Sequence, residues 1–129
     1  MQLGLLIRGA ITVGKAFHTD SSNTVFGPAV NRAVCLEQEM SGTPRVIIDP
    51  KLVSPTSQIY LKLDSDGYWF VNGLNLTVNG LDAEKAKIAI ENGLKNENEK
   101  YRQKWQWMAM QFNEELEKLK KDDIKKIVF

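Results

Sequence analysis

The sequence of 129 residues contains one cysteine, Cys35, and one histidine, His18. A single cysteine excludes an internal disulfide and points to a reducing compartment. His18 has no Cys, His or Asp at ligand spacing, so it reads as a structural or solvent-exposed residue beside a turn. Long apolar runs are absent too: nothing approaches the ~18 apolar residues that a membrane span needs. Met1 to Ile11 is apolar only in patches and is broken by Gly4, Arg8 and Gly9, which does not match a signal peptide. The chain therefore reads as cytoplasmic, with no membrane partner. Nor is there a charge excess, the formal net charge being +1, so no overall pull toward nucleic acid is expected. The sequence shows no internal repeat, linker or low-complexity segment.

What is present, 43% hydrophobic and 26% charged residues, fits a soluble globular domain. Its organising stretch is Val25-Phe26-Gly27-Pro28-Ala29-Val30-Asn31-Arg32-Ala33-Val34-Cys35-Leu36-Glu37. A β-prone run ends at Gly-Pro, and Pro28 suits the first position of a helix, where its missing N–H would have no partner. Ala29, Ala33, Leu36 and Met40 then fall on one apolar face, with Asn31, Cys35 and Gln38 opposite. Ser41-Gly42, with Pro44 beyond, ends the helix.

Before this stretch, Leu3 to Val13 reads as a strand, and alternation at Ile11, Val13 and Phe17 extends the pattern. His18 to Asn23 is a polar turn that returns the chain antiparallel into Thr24-Val25-Phe26. After the helix, Arg45 to Asp49 is a strand bounded by Pro44 and Pro50, and Lys51 to Gln58 is a loop. Ile59 to Leu63 and Tyr68 to Asn72 form a hairpin around Asp64-Ser65-Asp66-Gly67. Asn72 to Leu81 reads as a loop. Asp82 can cap a helix that runs toward Gly93-Leu94 with Ala86, Ile90 and Leu94 on one face. A second helix from about Glu97 carries a stripe of Tyr101, Trp105, Met108, Phe112, Leu116 and Leu119. Trp107 and Met110 lie off it and are candidate contacts for a partner. Lys118 to Lys126 reads as a solvated end, and Ile127 to Phe129 as an apolar tip.

Phe-Gly-x-x-Val-Asn-x-Ala followed by Leu-Glu, at residues 26–37, resembles the segment before and within the catalytic helix of class III nucleotidyl cyclases. The nearer likeness is to stand-alone bacterial guanylate-cyclase-like domains, some of which are antiphage pyrimidine cyclases. Leu6 to Gly14 is similar to the preceding strand of that family, and the Asp-x-Asp-Gly hairpin with the two later helices resembles its closing portion. The resemblance implies an α+β fold with a mostly antiparallel, ferredoxin-like sheet and helices on one face. On it, residues 1–113 form the C-terminal part of a cyclase-like domain, and 114–129 form a charged helical tail.

The resemblance also implies roles. The family joins the 3′-oxygen of a nucleoside triphosphate to its α-phosphorus and expels pyrophosphate, using Mg or Mn and fixed donors for the developing charge. Asn31 matches the ribose-contacting asparagine and is the candidate catalytic residue. Thr24 stands where many members place a base-reading aspartate, and Thr24, Phe26 and Gly27 are the candidate substrate-binding residues. Cys35 stands where the family has an arginine; a thiol cannot supply a guanidinium's charge or fork of donors. Arg32 lies on a different face. The family's metal-binding aspartates come from an earlier part of the domain, and Asp20, Asp49, Asp64 and Asp66 do not occur in that context. No metal site is therefore expected from this chain alone.

Plainer readings stand beside these. Asn31 can instead cap or hydrogen-bond within the turn, although the surrounding Phe-Gly and Leu-Glu favour a functional origin, and Cys35 can be a small apolar filler. Asp64 and Asp66 lack the third acidic position and distal glutamate of a calcium loop, which leaves a hairpin turn. Asn75-Leu76-Thr77 matches a glycosylation acceptor, but no secretory signal accompanies it. The expectation is a cyclase-homology fragment that is inactive alone, with a nucleoside triphosphate and a homodimeric or cyclase-like partner chain. The alternative is a non-catalytic nucleotide-sensing or dimerisation module of the same descent.

Overall fold

A computed structural model describes residues 4–39, 42–75 and 82–129. The protein is α+β. Strands β1 (Gly9–Ile11), β2 (Phe17–Thr19) and β3 (Thr24–Phe26) precede helix α1 (Pro28–Glu39). Strands β4 (Val46–Ile48), β5 (Leu61–Leu63) and β6 (Trp69–Val71) follow, then helices α2 (Ala83–Leu94) and α3 (Glu99–Lys118). The described residues fall into two compact units: Ile7–Val71, and Asn72–Phe129 together with the stretch that ends at Leu6.

The first unit contains a four-stranded sheet in the order β1-β4-β6-β5 and the separate hairpin β2-β3. β4 is central, which explains its unbroken Val-Ile-Ile run, since a strand flanked on both edges reads as continuously apolar. It pairs parallel with β1, Ala10 opposite Ile47, and antiparallel with β6, Ile47 opposite Phe70. The parallel pair requires a crossover, and the β2-β3 hairpin with α1 supplies it. Among the described residues of this unit, Leu36, Ile47 and Phe70 are the buried hydrophobic ones.

Strand lengths depart from the sequence reading. Leu3 to Val13 is a strand only at Gly9–Ile11, and Phe17 belongs to a different strand. Gly14 explains the break: its Cα packs toward Ala29, where an added Cβ would come within 3.3 Å of the alanine Cβ. Ile59 and Tyr60 lie in a 3₁₀ turn, Ser57–Tyr60, and the hairpin strand starts only at Leu61. The region expected to be loop also holds the 3₁₀ turn Pro50–Leu52. α1 starts at Pro28, with Leu36 buried and Asn31, Cys35 and Gln38 exposed. Met40 and Ser41 lie outside the described residues, as do residues 76–81 of the loop expected at 72–81; the described residues 73–75 are helical rather than loop.

In the second unit, α2 and α3 pack through Ala86, Ile90, Trp105, Met108, Ala109, Phe112 and Leu116, joined by Leu74 and Ile127. Gly93 permits the close approach: a Cβ there would sit 2.1 Å from Cδ2 of Trp105. Asp82 stands at the start of α2, but its side chain makes no capping hydrogen bond and instead faces Lys85 at 3.7 Å. Asn98 does cap α3, accepting from the main-chain nitrogen of Lys100 at 3.0 Å.

Two aromatic expectations change. Tyr101 is exposed, with the Lys104 ammonium 5.5 Å from its ring centroid, and Trp107 packs against the core cluster. Met110 is exposed, as its place off the stripe implies. Of the apolar tip at 127–129, Val128 and Phe129 are exposed, whereas Ile127 is buried and is held by two bonds with Asn113. Asn113 Nδ2 donates to the Ile127 carbonyl at 2.9 Å, and the Ile127 main-chain nitrogen donates to Asn113 Oδ1 at 2.8 Å.

Candidate functional site

The residues singled out from the sequence lie along β3, the turn after it and the first half of α1, all within the Ile7–Val71 unit. The β2-β3 register sets Phe17 opposite Phe26 and Thr19 opposite Thr24. Alternation along a strand then puts these four side chains on one face, with His18 and Val25 on the other. Phe17 and Phe26 stack with centroids 5.4 Å apart and planes 24° from parallel. Both rings remain about half exposed. Thr24 Oγ1 and Ser22 Oγ lie 2.9 Å apart, and Thr19 Oγ1 lies 2.7 Å from the same serine, which makes a short chain of hydroxyls at the hairpin end. His18 joins that turn through Asn23, 3.1 Å from Nε2.

Gly27 has a structural reason to be glycine. Its φ is +131°, and an added Cβ would fall 2.9 Å from the Lys15 carbonyl oxygen. The same carbonyl accepts from the Ala29 main-chain nitrogen at 3.0 Å, which ties the start of α1 to the chain before β2. Asn31 follows as the first residue whose main-chain nitrogen bonds back into the turn, to the Gly27 carbonyl at 3.1 Å. Its side chain is exposed, and Cys35 is exposed one turn later on the same side of the helix.

Arg32 points to a different place. Its guanidinium makes a two-point contact with Asp49, Nε to Oδ2 at 3.2 Å and Nη2 to Oδ1 at 3.4 Å. Thr12 Oγ1 donates to the same carboxylate at 2.8 Å, and the Lys51 main-chain nitrogen at 3.4 Å. Asp49 is 1% exposed and is the most enclosed carboxylate of this unit. The Arg32 hydrogen bond, working against burial and helped by Thr12, holds Asp49 well below the usual 3.8, down to about 2.

This cluster was not read from the sequence, although two signals point to it. Arg32 is one helical turn before Leu36, the residue of α1 that is buried, so it borders the inward face. Asp49-Pro50 is also a helix-start pattern, and Asp49 caps the 3₁₀ turn that begins at Pro50.

The other acidic residues are similarly engaged. Arg45, 4% exposed, forks between Asp64 and Asp66, Nη1 reaching Asp66 Oδ1 at 3.1 Å and both aspartates accepting further bonds from it. Asp66 is drawn below its usual pKa chiefly by that guanidinium. Asp20 meets His18 at 3.2 Å. Tested against a divalent cation, these aspartates do not fit: each of the buried or half-buried ones faces a guanidinium where a cation would have to sit. Among the described residues no group of three or more His, Cys, Asp or Glu side chains converges. Also among the described residues, no helix is long and apolar enough to cross a membrane.

Comparison of the chain with family models, with curated proteins and with solved structures found no match.

Proposed function

We propose that the Ile7–Val71 unit is the helix-bearing part of a site of the class III nucleotidyl cyclase type, which engages a nucleoside triphosphate but does not cyclise it unaided. The observation that carries this reading is the exposed carboxamide of Asn31, one turn inside α1 and beside the Phe26-Gly27 turn. A carboxamide there can donate to and accept from a ribose hydroxyl, while Phe26 and Thr24 offer an aromatic ring and a hydroxyl on the strand that leads into α1. Arg32 does not replace the guanidinium that the Cys35 position lacks, because it is engaged with Asp49. Turnover on this reading needs a guanidinium and a cation site from another chain.

A second reading, a non-catalytic pairing or sensing module of the same descent, is favoured by a different observation. Phe17 and Phe26 leave two stacked, half-exposed rings side by side on one face of a short hairpin. Exposed apolar clusters of this kind mark interaction surfaces.

Equilibrium binding of ATP, GTP, CTP and UTP, each with Mn²⁺, tests the first reading together with an assay for cyclic product. Binding weakened about tenfold by Asn31→Ala is expected, the loss of roughly one hydrogen bond to a charged or sugar group. No cyclic product is expected from the chain alone. Cys35→Arg is expected to raise product only in a mixture with a metal-competent cyclase domain. Absence of any nucleotide binding, with concentration-dependent self-association lost on Phe17→Ser, would leave the pairing module.

A further inference from the structure

Asn72 precedes Gly73, and Asn-Gly is the dipeptide in which a main-chain nitrogen most readily reaches the asparagine side chain, because glycine has no side chain to obstruct it. In the folded chain Asn72 Nδ2 donates to Glu115 Oε1 at 3.0 Å, and Asn75 Nδ2 donates to Oε2 at 3.0 Å. Glu115 lies on α3 and is 1% exposed, so these donors contribute to satisfying a carboxylate that burial would otherwise penalise. Leu74, between the two asparagines, is buried in the cluster built on α2 and α3. The segment is thus held to α3 by one carboxylate and one apolar anchor.

We propose that Asn72 is a deamidation site held in check by Glu115, and that its conversion releases the Asn72–Asn75 segment from α3. The reaction needs only water as co-reactant. The Gly73 main-chain nitrogen bonds to Cγ of Asn72, and the side-chain nitrogen leaves as ammonia, carrying the displaced proton. Water then opens the cyclic imide at either carbonyl, giving aspartate or isoaspartate. While Nδ2 is bonded to Glu115, Cγ is fixed and the side chain cannot turn onto the following nitrogen. Reaction therefore waits for local opening of the segment.

The product cannot restore the contact. An Nδ2–H donor is replaced by an oxygen acceptor facing another oxygen acceptor in a buried position, an arrangement that costs rather than stabilises. Isoaspartate also lengthens the main chain by one carbon, which moves Leu74 relative to its pocket. Asn92-Gly93 has the same sequence but lies inside α2, where the Gly93 nitrogen belongs to the helix, whereas Gly73 stands at the very start of the helical stretch 73–75, where main-chain nitrogens lack intrahelical partners.

The test follows the full chain at mildly alkaline pH by peptide mapping that separates Asn72 from Asn79 and Asn92. The folded chain is expected to convert at Asn72 at least about tenfold more slowly than the same chain in denaturant, and Glu115→Gln is expected to recover about that factor while folded. Gly73→Ala is a matched control, since an added Cβ meets nothing within 4 Å there; it is expected to suppress conversion in folded and unfolded chain alike. Asn72→Asp is expected to speed amide exchange across 72–75 and to leave α3 protected. Equal conversion in the folded and denatured chains, or no acceleration in folded Glu115→Gln, overturns the masking. Unchanged exchange at 72–75 in Asn72→Asp overturns the release. If Glu115→Gln does not fold, the folded-against-denatured comparison and Asn72→Asp still decide.

Discussion

Replacing Arg45 by alanine is expected to cost about 2–3 kcal/mol in urea unfolding, below the full range for breaking a buried ion pair. The side chain is 2% exposed and Asp64 13%, but Asp66 is 41% exposed and can turn to water once the guanidinium is gone. Arg45→Lys is expected to recover only part of the loss, because an ammonium lacks the fork that serves two carboxylates. Equal stability of all three proteins would show that the aspartates hold the turn without help. The turn itself was legible in Asp64-Ser65-Asp66-Gly67, where Gly67 takes φ +86°. The arginine that secures it was not, because β4 and Asp64 meet only through the β4-β6-β5 pairing. Asp49 and Arg32 were hidden for the same reason: each is ordinary locally, and the ion pair exists only after β4 is placed beside α1. Thr24, Phe26, Gly27, Asn31 and Cys35 fall on one continuous stretch, which is why a sequence pattern could reach them.

At the level of elements, the contact between α2 and α3 turns on Gly93. A Cβ there falls well inside van der Waals contact distance of three Trp105 ring atoms, so Gly93→Ala forces the helices apart or the indole out of its place. The expected destabilisation is at least about 1–3 kcal/mol, opposite in sign to the small gain alanine brings in an unobstructed helix. Combining it with Trp105→Leu is expected to cost less than the sum of the two single changes; strict additivity would show that the ring and the glycine do not meet. The helices and most of their buried residues could be read from three-and-four spacing. The exceptions have a geometric cause. The apolar arc of α3 is wider than a single stripe, so Trp107 packs beside it. Tyr101 lies in the first turn of α3, beyond the reach of the core, and Lys104 covers its ring instead.

For the whole chain, stability is expected to fall in acid over a defined window. Asp49 is held down to about 2 from 3.8, and Asp66 is also lowered, so both carboxylates bind a proton more readily in the unfolded chain. The contribution of Asp49 is present above its unfolded value of 3.8 and is lost as pH falls from there toward about 2, and Asp66 acts in the same direction. Urea midpoints measured across that range should decline, and Asp49→Asn should flatten the decline while lowering the plateau at neutral pH. A slope unchanged by Asp49→Asn would place the acid sensitivity elsewhere.

The parallel pairing of β1 with β4 also has a kinetic side. The β2-β3 and β5-β6 hairpins close over short turns, and α1 forms from neighbouring residues, so each can assemble by local encounter. β1 cannot meet β4 until the hairpin and α1 between them have been folded back, and this closure carries most of the loop entropy of the Ile7–Val71 unit. Ile47, opposite both Ala10 and Phe70, stands where the local and the distant halves of the sheet are joined. Shortening it to valine is therefore expected to slow refolding more than a matched truncation at Leu61, on the outer strand. The chain's slowest moment is the arrival of a strand it made first.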